Sequence, residues 1–195
     1  MAPKGIKGKK ILVGVTGSVA AFKAIRLVEM LGELGAEVKV VATGNALFFV
    51  KPGEFKAPFF SELFSDKADY RRVAREKTGV EHVSLADWAD AVVVAPCTAT
   101  TLGKMACGIA DNLLVSTLLA TKAPILVAPA MNDNMWAHPA VRRNVALLRK
   151  DGVKFVGPVC GPLACGRSGK GRMSEPEEIV AALGALLAKT GKKKR

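Results

Sequence analysis

An asparagine stands between two methionines and four residues ahead of a tryptophan in the string PAMNDNMW, Pro129 to Trp136, directly after the apolar run Ile125 to Ala128. A buried strand that ends this way presents one amide, Asn132, into an apolar pocket walled by Met131, Met135 and Trp136. An amide both donates and accepts, so it can hold a carboxylate or a peptide-like group without carrying charge itself. In a low dielectric such a hydrogen bond discriminates strongly. Read alone, the string fits equally a turn asparagine with two methionines filling gaps in a core. A second place where residue type and spacing allow chemistry is the turn at Gly17 and Ser18. An apolar strand from Lys10 to Thr16 runs into this turn and then into a helical pattern through Leu34, ended by Gly35. Strand, glycine turn and helix bring backbone N–H groups and the positive end of a helix dipole to one point, which suits a phosphate, and Ser18 adds a hydroxyl.

Four cysteines, Cys97, Cys107, Cys160 and Cys165, lack the paired short spacing of a zinc site, so no metal is expected. In a cytoplasmic chain they stay reduced, one of them available for chemistry and the rest buried. Cys165 lies in a stretch, Gly157 to Met173, with five glycines and two prolines in seventeen residues. A stretch of this length reads as a mobile functional lid. Its Gly166, Gly169 and Gly171 surround Arg167 and Lys170 and could also wrap an anion, although no Walker spacing is present.

The elements that must position these residues follow from the apolar runs. The second strand, Val38 to Ala42, ends in Thr43, where a dinucleotide fold needs an acid, and the first turn carries only Gly14 and Gly17. A mononucleotide such as FMN fits better than NAD. Phe48, Phe49, Phe55, Phe59, Phe60 and Phe64 crowd into seventeen residues, as either a satellite core or a patch that pairs with another subunit, the second being favoured. Asp66 to Thr78 reads as a mobile loop. Val80 to Leu85 reads as an extended segment carrying His82, and Ala91 to Ala95 as the third strand. A helix from the PCTATT turn runs to about Gly108 with Cys107 buried, and Asp111 caps the next helix, Leu113 to Ala120. His138 and Pro139 open a helix through Lys150, with His138 structural; Val153 to Val156 closes the sheet, and Glu177 to Leu187 is amphipathic. Strands alternating with helices imply a single Rossmann-like, flavodoxin-like α/β domain, residues 10–188, whose parallel sheet is covered on both faces and binds ligand at its carboxyl ends.

Composition bounds the rest. Half of the 195 residues are hydrophobic, enough for one full core. No apolar run approaches the roughly 18 residues of a membrane span, and the basic amino terminus lacks the apolar core of a signal peptide, so a cytoplasmic location is expected. Of the net charge of +12, nine belong to Lys4, Lys7, Lys9 and Lys10 at one end and Lys189, Lys192, Lys193, Lys194 and Arg195 at the other. The charge therefore sits in basic tails, 1–9 and 189–195, and at Lys10 beside the first, rather than on a nucleic-acid-binding face.

Four stretches in order, TGSVAAFKA at 16–24, HVSLADWAD at 82–90, PAMNDNMW at 129–136 and LACGRSGKGRM at 163–173, resemble the flavin-dependent cysteine decarboxylases, specifically the phosphopantothenoylcysteine decarboxylases that form one half of a bifunctional coenzyme A biosynthesis protein. The resemblance implies FMN-dependent decarboxylation of 4′-phosphopantothenoylcysteine to 4′-phosphopantetheine, with FMN oxidising the thiol to a thioaldehyde so that the leaving carboxylate has an electron sink. It implies His82 as base, Asn132 on the substrate carboxylate, Cys165 as the final proton donor, and Met131, Pro162, Leu163 and Ala164 along the substrate. It places Gly17, Ser18 and Val19 at the flavin phosphate, with Thr43, Thr98, Ala99, Thr100, Thr101 and Ala130 lining the flavin. Thr100 stands where the family usually has Asn, and Asp87 where many relatives have a basic residue. The family is trimeric, often as a dodecamer, with sites between subunits, so His82 serves a neighbour's flavin; a phosphopantothenate–cysteine ligase is the further partner. A peptidyl-cysteine decarboxylase and a non-catalytic, flavin-binding phosphatase regulator of the same fold are the alternatives.

Overall fold

The computed structural model describes residues 5–65 and 80–191. Its strands are β1 (Lys10–Val15), β2 (Glu37–Ala42), β3 (Glu62–Ser65), β4 (Ala91–Cys97), β5 (Ile125–Pro129), β6 (Lys154–Phe155), β7 (Val159–Pro162) and β8 (Ser168–Arg172). Its α-helices are α1 (Phe22–Glu33), α2 (Glu81–Trp88), α3 (Ala99–Cys107), α4 (Leu113–Ala120), α5 (Asp133–Ala137), α6 (Pro139–Lys150) and α7 (Pro176–Gly191). The first six strands form one parallel sheet in the order β3-β2-β1-β4-β5-β6. Alternate residues of β1 divide the core: Ile11, Val13 and Val15 face α1 and α7, meeting Leu27, Leu31, Ile179 and Leu183. Leu12 faces the other layer, with Leu85 of α2, Leu102 of α3, Leu114 of α4 and Val145 of α6. Leu27, Leu31 and Leu183 are fully buried, each contributing about 1.5–3 kcal/mol of apolar transfer. The molecule is the single flavodoxin-like domain that the strand and helix pattern implies.

Between β1 and β4 the chain direction of the crossovers reverses, and at such a switch point the loops after neighbouring strands diverge and leave a crevice. Thr16, 1% exposed, holds this crevice together: its hydroxyl donates to Pro96 O at 2.8 Å and accepts from Thr98 N at 3.1 Å. Gly14 keeps the sheet close to α4, since a Cβ there would stand 2.6 Å from Leu114 Cδ1.

Several local readings are corrected. Glu81–Trp88 is helical rather than extended. Asn112, not Asp111, caps α4, its side chain accepting from Val115 N at 2.9 Å, while Asp111 pairs with Lys104 at 2.6 Å. Glu62–Ser65 adds an edge strand within the aromatic region, whose Phe55 and Phe64 are buried while Phe48 is 85% exposed. Ile6, assigned from sequence to a basic tail, is fully buried, and α7 continues past residue 188. Gly157–Met173 is no free loop, because β7 and β8 pair as an antiparallel hairpin. The proposed loop at Asp66–Thr78 lies outside the described residues. Among the described residues, no helix is long and apolar enough to cross a membrane.

Candidate active site

The crevice at the switch point is a cavity of about 390 Å³ built from four strand ends, within the usual range of ligand pockets, about 300–1,000 Å³. After β1 come Thr16, Gly17, Ser18 and Val19; after β2, Thr43 and Asn45; after β4, Thr98, Ala99, Thr100 and Thr101; after β5, Ala130 and Met131. Every residue assigned to the cofactor from sequence lines this one cavity. Gly17 must lack a side chain because a Cβ would stand 2.6 Å from Asn45 Cβ. Ser18 caps the single 3-10 turn that leads into α1, its Oγ accepting from Ala20 N at 3.2 Å. Thr98 caps α3, accepting from Thr101 N at 3.4 Å, and the two hydroxyls lie 3.2 Å apart. Thr101 is therefore engaged in the cap and buried, leaving Thr100 as the exposed hydroxyl of that turn. One turn of backbone donors and a wall of Ala99, Ala130, Met131 and Met135 fit a mononucleotide with a flat ring, and Thr43 supplies no acid for a second ribose.

A second cavity, of about 410 Å³, adjoins the first through shared Ser18, Val19, Ala130 and Met131. It is lined by Asn132, Pro162, Leu163, Ala164 and Cys165, and also by Phe22, Lys23, Arg172 and Met173. Asn132 is the N-cap of α5: its Oδ1 accepts from Asn134 N at 2.9 Å. That N–H can only donate, so the amide's nitrogen faces the other way, and Nδ2 donates to Cys165 Sγ at 3.3 Å. Trp136 N in turn donates to Asn132 O at 2.9 Å, and the indole is buried in the core. The cap thus fixes which edge of the amide reaches the cavity, and that edge is a neutral donor.

Cys165 is exposed. The Arg167 backbone N–H, then the Arg167 guanidinium and the Asn132 amide, hold its thiol below the ordinary value because all of them favour the thiolate. Arg167 Nη2 also lies 3.3 Å from Asp133 Oδ1, an ion pair without hydrogen-bond alignment. The other cysteines depart from the expectation of burial. Cys97 is buried, which pushes its thiol far up, whereas Cys107, at the last turn of α3, and Cys160 are exposed.

Of the hairpin glycines Gly166, Gly169 and Gly171, two serve close packing. A Cβ on Gly169 would stand 2.7 Å from Asp133 Cβ, and one on Gly171 would overlap the Met131 carbonyl oxygen. Met131 N donates to Gly171 O at 3.0 Å. The glycines let β8 lie directly on the turn that carries Asn132, which brings Cys165 to it. Sequence reading took them for flexibility.

His82 stands apart. It lies half-buried in the first turn of α2 and lines neither cavity. Val80 and Val83 beside it are 45% and 44% exposed. Sequence reading also missed Thr16, Asn45, Lys104 and Asn112 at the first cavity, and Lys23 and Arg172 at the second. Lys23 lies within the TGSVAAFKA string, but only its distant salt bridge to Glu175 distinguishes it from a surface lysine.

A parallel α/β domain with a mononucleotide-sized crevice at its switch point and a thiol–amide pair in the adjoining cavity belongs to the flavin- and nucleotide-binding class of doubly wound proteins. Within that class the Flavoprotein family profile matches residues 2–188, and the chain belongs to that family. It is 45% identical over 175 residues to the coenzyme A biosynthesis bifunctional protein CoaBC of Bacillus subtilis, covering 90% of this chain and 42% of the relative. The chain therefore spans less than half the length of that protein. Among solved structures, a cysteine-to-serine mutant of PPC decarboxylase complexed with pantothenoylaminoethenethiol superposes with a TM-score of 0.87 at 34% identity, over 93% of this chain and 100% of that one. The FMN-binding protein AtHal3 superposes with a TM-score of 0.84 at 33% identity, over 94% and 98%.

Proposed function

We propose that this chain is an FMN-dependent decarboxylase that converts 4′-phosphopantothenoylcysteine to 4′-phosphopantetheine. The observation that carries the reading is the contact of the Asn132 amide with the Cys165 thiol at 3.3 Å in a cavity that shares a wall with the mononucleotide crevice. The comparisons support it, since the similar solved proteins include one described as a PPC decarboxylase and one that binds FMN.

Gly17, Ser18, Val19, Thr43, Ala130 and the Thr98–Thr101 turn would hold FMN, which would supply reversible two-electron oxidation of the cysteinyl thiol so that the adjacent carboxylate could leave. Asn132 Nδ2 donates to that carboxylate; being neutral, it orients the carboxylate without locking it in place by an ion pair. Pro162, Leu163 and Ala164 exclude water along the substrate arm. Cys165 Sγ, its proton loosened by the Arg167 N–H and guanidinium, gives that proton to the carbon that has lost CO2. His82 acts as base across a subunit boundary, in a trimer or dodecamer whose contacts include the exposed Val80 and Val83. A phosphopantothenate–cysteine ligase, as a domain or separate protein, supplies the substrate in the cytoplasm.

The test is spectroscopic and chemical. The purified protein absorbs in the visible as an oxidised flavin, releases FMN on denaturation, and forms CO2 and phosphopantetheine from the synthetic substrate. A colourless protein that stays flavin-free after incubation with FMN and leaves the substrate intact removes the reading.

A further inference from the structure

The second cavity carries charge that the amide–thiol pair does not use. Lys23 Nζ donates to Glu175 Oε1 at 2.8 Å, and Arg172 Nη2 donates to the same oxygen at 2.6 Å. Both cations line the cavity that contains Asn132 and Cys165, whereas Glu175 lies behind them. One carboxylate oxygen takes a single N–H from each, so among the described residues most of the ammonium and guanidinium donors are unspent. Of the two carboxylates beside them, Glu175 alone pairs with the cations. Glu178 is already engaged with Glu175 N at 3.0 Å. The Lys23 side chain is only 13% exposed, a position in which a cation is retained only with a partner.

The spacing along β8 relates this pair to the amide. Gly171 abuts Met131 and Asn132, and Arg172 is the next residue, so the amide and the two cations line one cavity. A ligand seated on Asn132 and filling that cavity therefore also meets the two cations. The substrate read for this site has a carboxylate and thiol at one end and a phosphate monoester at the other. Asn132 is neutral and matches the first end; only the cations match the second.

We propose that Lys23 and Arg172 form the subsite for the phosphate end of the substrate, with Glu175 holding them in position before the phosphate arrives. The inference rests on the decarboxylase reading. Arg172 offers a planar fork and Lys23 a compact point charge, and a phosphate monoester accepts from both. Glu175 satisfies the cations without filling the cavity, so the subsite exists in advance and its ordering cost is met before binding.

The experiment compares kcat/KM for the phosphorylated substrate with that for the same compound lacking the phosphate, using FMN-loaded protein. The parent prefers the phosphorylated compound, and Lys23→Met and Arg172→Met each lower that preference by about 10–100-fold, as expected for a charge-assisted hydrogen bond. Lys23→Arg retains it within about threefold. An unchanged preference in both Met variants overturns the subsite. Should those variants fail to fold, inorganic phosphate must compete with the phosphorylated substrate on the parent, and absence of competition overturns it equally. If the parent turns over neither compound, the decarboxylase reading fails by itself. Inorganic phosphate titrated into parent and Lys23→Arg, Lys23→Met then decides the subsite: loss in the Met variant alone supports it, and equal binding overturns it.

Discussion

The seating of β8 on the Asn132 turn makes Gly171→Ala the most informative single perturbation. The added methyl would overlap Met131 O, and the backbone carbons of Met131 and Asn132 would lie at 3.2 Å. These neighbours are backbone atoms with no rotamer to escape into. To restore ordinary carbon contact the strand must lift by roughly 1 Å. Overpacking of this kind costs about 1–3 kcal/mol, and lifting stretches the Met131 N–Gly171 O hydrogen bond, worth a further ~0.5–1.5 kcal/mol. Together these amount to about 2–4 kcal/mol, or a drop of about 5–15 °C in Tm for a chain of this size. Because the same movement separates Cys165 from Asn132, kcat/KM falls by about 100-fold, the cost of misplacing a reacting group by an ångström. Thermal melting and steady-state turnover measure the two effects on one preparation. Gly53→Ala is the control, since nothing stands within 4 Å of a Cβ there and its backbone needs no glycine. A Gly171→Ala protein that melts with the Gly53→Ala control and keeps parental kcat/KM refutes the argument that the hairpin is held by close backbone packing.

Two further outcomes follow from the same geometry. Asn132→Asp keeps the helix cap, for which Asp and Asn rank equally, so Tm stays within about 2 °C of the parent. It replaces the donor facing Cys165 by a carboxylate that repels the substrate's own, so kcat/KM falls by at least about 100-fold; activity within a few-fold removes Asn132 from the site. The Cys165 thiol is held down by the Arg167 N–H and guanidinium, so its alkylation, followed by peptide mass analysis, has its pH midpoint below that of the same residue in denatured protein. Arg167→Ala moves the midpoint upward, leaving the backbone N–H and the Asn132 amide. A midpoint indifferent to Arg167 contradicts the electrostatic account, and Cys97 stays unmodified until the protein unfolds because burial pushes its thiol far up.

The parts of the fold that sequence reading recovers are those with continuous apolar runs. The central strands β1, β2, β4 and β5 are buried on both faces, and each announces itself as a short run of Val, Ile, Leu and Ala. The edge strand β3 has four residues and one buried side chain, too little to stand out from the aromatic stretch around it. Helix α2 is short and only weakly amphipathic, with Leu85 and Ala86 alone buried, so His82 was read into an extended segment. The Asp111–Asn112 choice turned on one residue position, and two side chains suited to a cap stand side by side. The hairpin was missed because glycine has two uses that sequence cannot separate: conformational freedom and the absence of a Cβ. At Gly169 and Gly171 the second operates, and its cause lies in Asp133 and Met131, more than thirty residues away. Lys23 and Arg172 escaped notice for a related reason, since Lys23 meets Glu175, which also holds Arg172, only across 152 residues of chain.

The two cavities share Ser18, Val19, Ala130 and Met131, but the hairpin serves only one of them. The crevice draws its walls from strand ends up to Met135, and no residue of the β7–β8 hairpin touches it; the turn Pro162–Cys165 contributes to the neighbouring cavity alone. Substitutions in that turn ahead of Cys165 can therefore alter which small molecule is accepted while leaving the strand-end loops untouched. A library randomised at Pro162, Leu163 and Ala164, with Gly169 and Gly171 kept, samples new substrates on a constant redox platform. The same independence gives evolution a short segment on which to vary specificity without rebuilding the sheet.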